Sequence, residues 1–106
     1  MAMQVPLQIT MHQMERSPAL DLRIRDSAAK LERLYPRITR CRVAVEQVEL
    51  HQQQGRHFGV RVEVRAPGHK DVVSSLQHHE DVYVALRDAF DAVRRKLRAV
   101  ATEPRG

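Results

Sequence analysis

His79-Glu80-Asp81-Val82-Tyr83 runs without a Gly or Pro into Val84-Ala85-Leu86-Arg87-Asp88-Ala89-Phe90-Asp91-Ala92-Val93-Arg94-Arg95-Lys96-Leu97-Arg98-Ala99-Val100. At about 100° per residue, Val82, Leu86, Ala89, Val93, Leu97 and Val100 form a narrow apolar stripe with Phe90 at its edge. The spacing predicts a helix with one buried face. Arg87, Arg94 and Arg98 stand on its other side at i, i+7 and i+11, with Arg95, Asp88 and Asp91 further round. The rest of the chain must supply what this helix packs on and what its basic ridge meets.

Working back from that helix, the chain shows two kinds of period. Leu7, Ile9 and Met11 alternate with Gln8, Thr10 and His12, the pattern of a strand with one buried face. Ser17-Pro18 then offers an N-cap hydroxyl followed by proline at the first helical position, and Asp21 meets the positive end of the helix dipole. Leu20, Ile24, Ala28, Leu31 and Tyr35 carry the apolar face of this first helix, and Pro36 stops it. Arg23, Asp26 and Lys30 follow one another a turn apart on its flank, with Arg33 close by, so pairing along the helix satisfies part of their charge.

From Thr39 to Ala66 the period is two. Cys41, Val43 and Val45 alternate with Arg42, Ala44 and Glu46, and Val48 and Leu50 continue on the opposite parity, which predicts a bulge or strong twist near Gln47. Gln52 to His57, with Gly55, reads as a polar turn. Phe58, Val60, Val62 and Val64 then share one face of a strand against Gly59, Arg61, Glu63 and Arg65. Pro67-Gly68 turns it, and Val72, Ser74 and Leu76 predict a shorter strand delivering the chain to His79. The order β-α-β-β-β-α, with cleanly alternating strands that bury one face, predicts an α+β two-layer sandwich. Two helices cover one face of a four-stranded sheet, a plan like that of double-stranded-RNA-binding modules. Residues 1–106 are read as a single domain, with a core over about 5–101, a loose start at Met1 to Pro6 and a short polar tail at 102–106.

Composition narrows the function. Eighteen Lys plus Arg, fifteen of them Arg, stand against thirteen Asp plus Glu, a formal charge of +5. Arg donates a planar fork of hydrogen bonds and stays charged, so this balance favours a polyanionic partner, most simply nucleic acid. No apolar run approaches the roughly 20 residues a membrane span needs, and no signal peptide opens the chain, which predicts a cytoplasmic protein without membrane contact. The single Cys41 excludes an internal disulfide and a cysteine-rich zinc site, and its alternating context predicts a buried thiol. Neither a phosphate-cradling glycine loop nor a nucleophile elbow occurs, so no enzyme, small-molecule substrate or cofactor is expected. His78-His79-Glu80-Asp81 contains metal-ligand types, but neighbours at a helix start diverge, and capping by Glu80 and Asp81 in the first turn explains the acids without a metal. His51, His57 and His69 fall in expected turns and face solvent.

Two blocks resemble the ribosome hibernation promoting factor family, also called ribosome-associated inhibitors or sigma modulation proteins. One is Ile9-Thr10, Gln13-Met14-Glu15, Ser17-Pro18-Ala19-Leu20 and Ala29-Lys30-Leu31-Glu32-Arg33; the other is His79-Glu80-Asp81-Val82-Tyr83, Ala85-Leu86 and Arg95-Lys96-Leu97. The likeness extends from Leu7 to Val100 and includes the strand order. It implies a protein lodged in the small ribosomal subunit's channel for messenger and transfer RNA, holding ribosomes idle in stationary phase or under starvation or cold stress. Basic residues of both helices would grip ribosomal RNA phosphates. Matching positions are Lys30, Arg33 and Arg95; three basic positions of the motif are replaced by Ser27, Ala92 and Ala99. Arg87, Arg94 and Arg98 are placed to compensate from a slightly rotated ridge, Lys96 and Arg98 flank Ala99, and Arg23 is a further candidate for RNA contact. The family's long forms carry a further dimerising domain, so this chain resembles the short forms and is expected to be a monomer away from the ribosome.

Two other readings compete. A double-stranded RNA module with a non-ribosomal target would share the fold, but would set a basic helix start on phosphate where Glu80 and Asp81 stand here. A protein-interaction domain would use the open sheet face, to which alternation assigns the mixed charges Arg42, Glu46, Arg61, Glu63 and Arg65. On charge pattern alone, the ridge of the last helix also reads as a solvated face, with Asp91 pairing Arg87, Arg94 and Arg95.

Overall fold

The computed structural model describes residues 6–49, 56–66 and 72–101. The expected loose start before Pro6, the polar turn and His51 within 50–55, the Pro67-Gly68 turn with His69, and the tail at 102–106 lie outside the described residues. Strand β1 (Leu7–His12) leads to helix α1 (Pro18–Leu34), then strands β2 (Arg40–Glu49), β3 (Arg56–Arg65) and β4 (Val73–His79) precede helix α2 (Val82–Ala101). The expected β-α-β-β-β-α order and α+β class are what the chain adopts. The sheet order is β1-β2-β3-β4, with β1 parallel to β2 and the other pairs antiparallel. A parallel pair needs a crossover, and α1 is that crossover.

Local chemistry sets the helix ends. Ser17 caps α1, its Oγ accepting from the Leu20 amide at 3.2 Å, with Pro18 following and Asp21 in the first turn. Gln13 takes a φ of 60°, turning the chain out of β1 toward that cap. At the far end the Tyr35 amide donates to the Leu31 carbonyl at 2.9 Å, and Ile38, tucked into the core, donates to the Tyr35 carbonyl at 3.1 Å.

Both helices bury their stripes against the same sheet face. Leu7, Ile9 and Met11 pair with Cys41, Val43 and Val45, which pair with Val64, Val62 and Val60. These rows pack with Leu20, Ile24, Ala28 and Leu31 of α1 and with Ala85, Leu86, Ala89, Val93 and Leu97 of α2. Nearly all the core is aliphatic, as a chain with four aromatic residues requires.

Four expectations are corrected. No bulge occurs at Gln47: β2 pairs residue for residue from Arg40↔Arg65 to Glu49↔Arg56, so Gln47 keeps the core parity opposite Phe58 and Val48 lies on the open face. The apparent change of phase is a polar residue at the rim of the sheet, where burial is only partial. The β4 parity is reversed. Ser75 is buried and Val73 packs on the core, whereas Leu76 and Val72 are 45% and 40% exposed. Pairing of Val73 with Val64 and of Ser75 with Val62 fixes that choice, and Ser75 tolerates burial because its Oγ accepts from Gln77 at 3.1 Å. His57 belongs to β3, half-buried opposite Val48, because the ladder extends to Arg56. His79 likewise ends β4, and α2 starts only at Val82, so Glu80 and Asp81 precede the first turn.

Cys41 sits in this core, and burial pushes its thiol up to about 12. The unfolded thiol ionises near 9.0, so Cys41 contributes stability below pH 9 that is lost as pH rises toward 12. A disulfide-exchange reagent at pH 8 is expected to leave Cys41 unmodified in native protein and to label it fully in denaturant; rapid native labelling would contradict this burial.

Candidate functional site

Because the two helices share one face of the sheet, their flanks meet. Between them runs a groove of about 570 Å³ whose floor includes the buried Leu31, Leu86 and Phe90 and whose rim carries the exposed Leu34 with Arg23 and Lys30 from α1 and Arg87 and Arg94 from α2. Asp26 and Asp91 share the rim, and Ser27, at one of the departed motif positions, also lines it.

Two contacts bridge the helices. The Arg23 guanidinium lies over the Tyr83 ring, 5.3 Å from its centroid, a cation–π arrangement worth about 0.5–1 kcal/mol at an exposed site. The Tyr35 hydroxyl donates to the Arg94 carbonyl at 3.5 Å. Tyr83 is a contributor that charge spacing in the sequence does not single out, since only the packing of α1 against α2 brings its ring under Arg23.

The rim cations are held by weak, exposed pairs. Lys30 meets Asp26 at 3.3 Å, Arg94 meets Asp91 at 3.4 Å and Arg87 meets Asp88 at 3.3 Å. The expected pairing of Asp91 with Arg87 and Arg95 is thus corrected: Arg87 turns to its neighbour Asp88, and among the described residues Asp91 pairs with Arg94 alone. Exposed pairs contribute at most about 1 kcal/mol, so a phosphate can displace them at little cost.

The other sequence-derived cations lie elsewhere. Arg33 is exposed but outside the groove lining. Arg95 follows Arg94 and so lies about 100° round α2, on its solvent side. Lys96 is turned to the sheet edge, where its Nζ donates to the Ser74 carbonyl. Arg98 is exposed and continues the Arg87–Arg94 line toward the end of α2. Of the three positions matched by resemblance, only Lys30 lines the groove. Ala92 is buried, so that motif position does not face solvent in this chain.

The remaining candidates offer less chemistry. Asp81 caps α2, accepting from the Tyr83 amide on Oδ1 at 2.9 Å and from the Ala85 amide on its carbonyl at 3.1 Å, while its own amide donates to His79 Nδ1 at 2.9 Å. Ser17 and Asp81 each take up one amide at their helix's start, and the carboxylates of Asp21 at one start and of Glu80 and Asp81 at the other disfavour a phosphate there. Among the described residues, no three His, Cys, Asp or Glu side chains converge as a metal site would require. The open sheet face holds a depression of about 280 Å³ lined by Gln8, Thr10, His12, Arg42, Arg61 and Glu63 among others, a mixed-charge surface as expected, with Leu76 added by the β4 parity. No described helix is long and apolar enough to cross a membrane.

Comparison with known proteins places this geometry. A family model described as sigma 54 modulation protein / S30EA ribosomal protein matches residues 7–104. Among solved structures, the chain is similar to a ribosomal subunit interface protein from Coxiella burnetii, with a TM-score of 0.77 and 14% identity over 93% of this chain and 100% of that one. It is also similar to the Protein Y N-terminal domain of Thermus thermophilus, with a TM-score of 0.68 and 16% identity over 91% and 99% of the two chains. At these identities the likeness is one of fold. No curated protein matches the sequence significantly.

The cap geometry makes a direct prediction. Asp81→Ala is expected to destabilise the fold by about 1 kcal/mol and Asp81→Asn by much less, since the amide oxygen still accepts from Tyr83; equal losses in chemical denaturation would assign the Asp81 effect to charge alone.

Proposed function

Because this chain belongs to the sigma 54 modulation protein / S30EA ribosomal protein family, we propose that it binds the small ribosomal subunit in the cytoplasm through ribosomal RNA phosphates. Occupying the channel of messenger and transfer RNA, it would hold translation idle by steric exclusion, without catalysis. The observation that supports this most strongly is that cations from two separate helices, Arg23 and Lys30 with Arg87 and Arg94, border one groove. Four fixed positive charges around a channel between helices suit a folded RNA backbone, which approaches as a ridge of phosphates. Arg33 and Arg95 extend the same role to the crests on either side. The filled helix caps direct that contact to the helix flanks, unlike the helix-start contact of a double-stranded RNA module.

Sedimentation with purified small subunits tests this reading. At modest salt the protein is expected to travel with the subunit, and Lys30→Glu combined with Arg94→Glu is expected to release it while the unfolding temperature stays within a few degrees of the parent. A parent protein absent from the subunit fraction would refute the ribosomal reading, and full retention of the double variant would move the contact away from the groove.

A further inference from the structure

One end of the molecule collects arginines that the groove does not use. The tie between the Tyr35 hydroxyl and the Arg94 carbonyl brings the close of α1 to the last turns of α2. The Thr39 amide and hydroxyl both donate to the Arg65 carbonyl, at 2.8 and 3.2 Å, joining the start of β2 to the end of β3. Arg33, Arg37, Arg40, Arg65 and Arg98 therefore share this end, all exposed, and no ion pair among the described residues involves any of them. The opposite end, where both helices begin, carries Glu15, Asp21, Glu46, Glu80 and Asp81.

Arg33 and Arg98 have a structural explanation, since cations near helix C-termini complement the dipole. Arg40 and Arg65 do not. They are directly opposed in the antiparallel ladder, with side chains on the helix-free face. Like charges in that relation stand with their Cβ atoms about 4.5–5.5 Å apart and oppose folding. Among the described residues the nearest acid across the ladder, Glu63, lies two rungs further in, opposite Arg42. A repulsive pair at the rim of a sheet, with no acid between its members among the described residues, has the chemistry of a site completed by an external anion.

We infer that the Arg40–Arg65 pair, with Arg37 beside it, is a second phosphate-binding patch that carries bound RNA from the groove round the end of the molecule onto the open sheet face. The inference rests on the RNA reading above and extends it to a surface remote from the groove. The two members of the pair are suited to adjacent phosphates of one backbone, because each guanidinium donates a bidentate fork.

The test separates binding from stability. Arg40→Ala with Arg65→Ala removes the repulsion, so the unfolding temperature is expected to hold or rise, while affinity for small subunits falls on the order of tenfold in low salt. Polyuridylate serves as a second probe, so that the patch is tested even if subunits are not bound; weaker binding of either polyanion by the variant supports the inference. Unchanged affinity for both, or a binding loss that only tracks a lowered unfolding temperature, overturns it. If Lys30→Glu with Arg94→Glu weakens subunit binding and the Arg40/Arg65 variant weakens binding of neither polyanion, the groove reading stands and the patch falls.

Discussion

A sheet that buries only one face obliges everything apolar in the chain to meet on that side. Val43, Val45, Val60, Val62 and Val64 are all but sealed from solvent, while the residues between them face outward with no helix above. The parallel pairing of β1 with β2 commits α1 to the covered side as a crossover, and the amphipathic stripe of α2 commits the second helix there too. Two helices sharing one sheet face must lie flank to flank, and the groove is the space between those flanks. Its charge then follows from which residues the stripes leave over.

Electrostatics at this groove is permissive. Lys30, Arg87 and Arg94 are each paired with a carboxylate on their own helix, at exposed positions where such pairs contribute little. They orient the side chains, and in the proposed RNA contact they would yield to a phosphate. Arg23 is held differently, by the Tyr83 ring, which leaves its guanidinium edges available as donors. The caps supplied by Ser17 and Asp81 stabilise the helices, and the acids at both helix starts favour the proposed phosphate contact along the flanks.

Much of the fold was legible because local chemistry and global packing agree. Ser17-Pro18 fixed one helix start, and the valines of β3 fixed the buried parity of the central strands. The reading failed where the two disagree. At β4 the more apolar set, Leu76 and Val72 just before the strand, is exposed, because pairing with β3 commits Val73 and Ser75 to the core and a serine there satisfies itself through Gln77. At Gln47 a polar residue on core parity imitated a bulge. For the site, spacing along each helix put Arg23 with Lys30 and Arg87 with Arg94, but no one-dimensional pattern states how two helices face one another. Tyr83 beneath Arg23, and Arg40 opposite Arg65, are consequences of tertiary register and are invisible until the strands and helices are set side by side.

The proposed grip on the small subunit depends on four cations from two helices acting as one electrostatic surface. The salt dependence of small-subunit affinity measures that directly, because each phosphate contact adds roughly 0.7–0.9 to the slope of log affinity against log salt. Replacing Arg23, Lys30, Arg87 and Arg94 together by alanine is predicted to flatten that slope by about three, in a protein that still unfolds cooperatively. A slope equal to that of the parent would contradict the account.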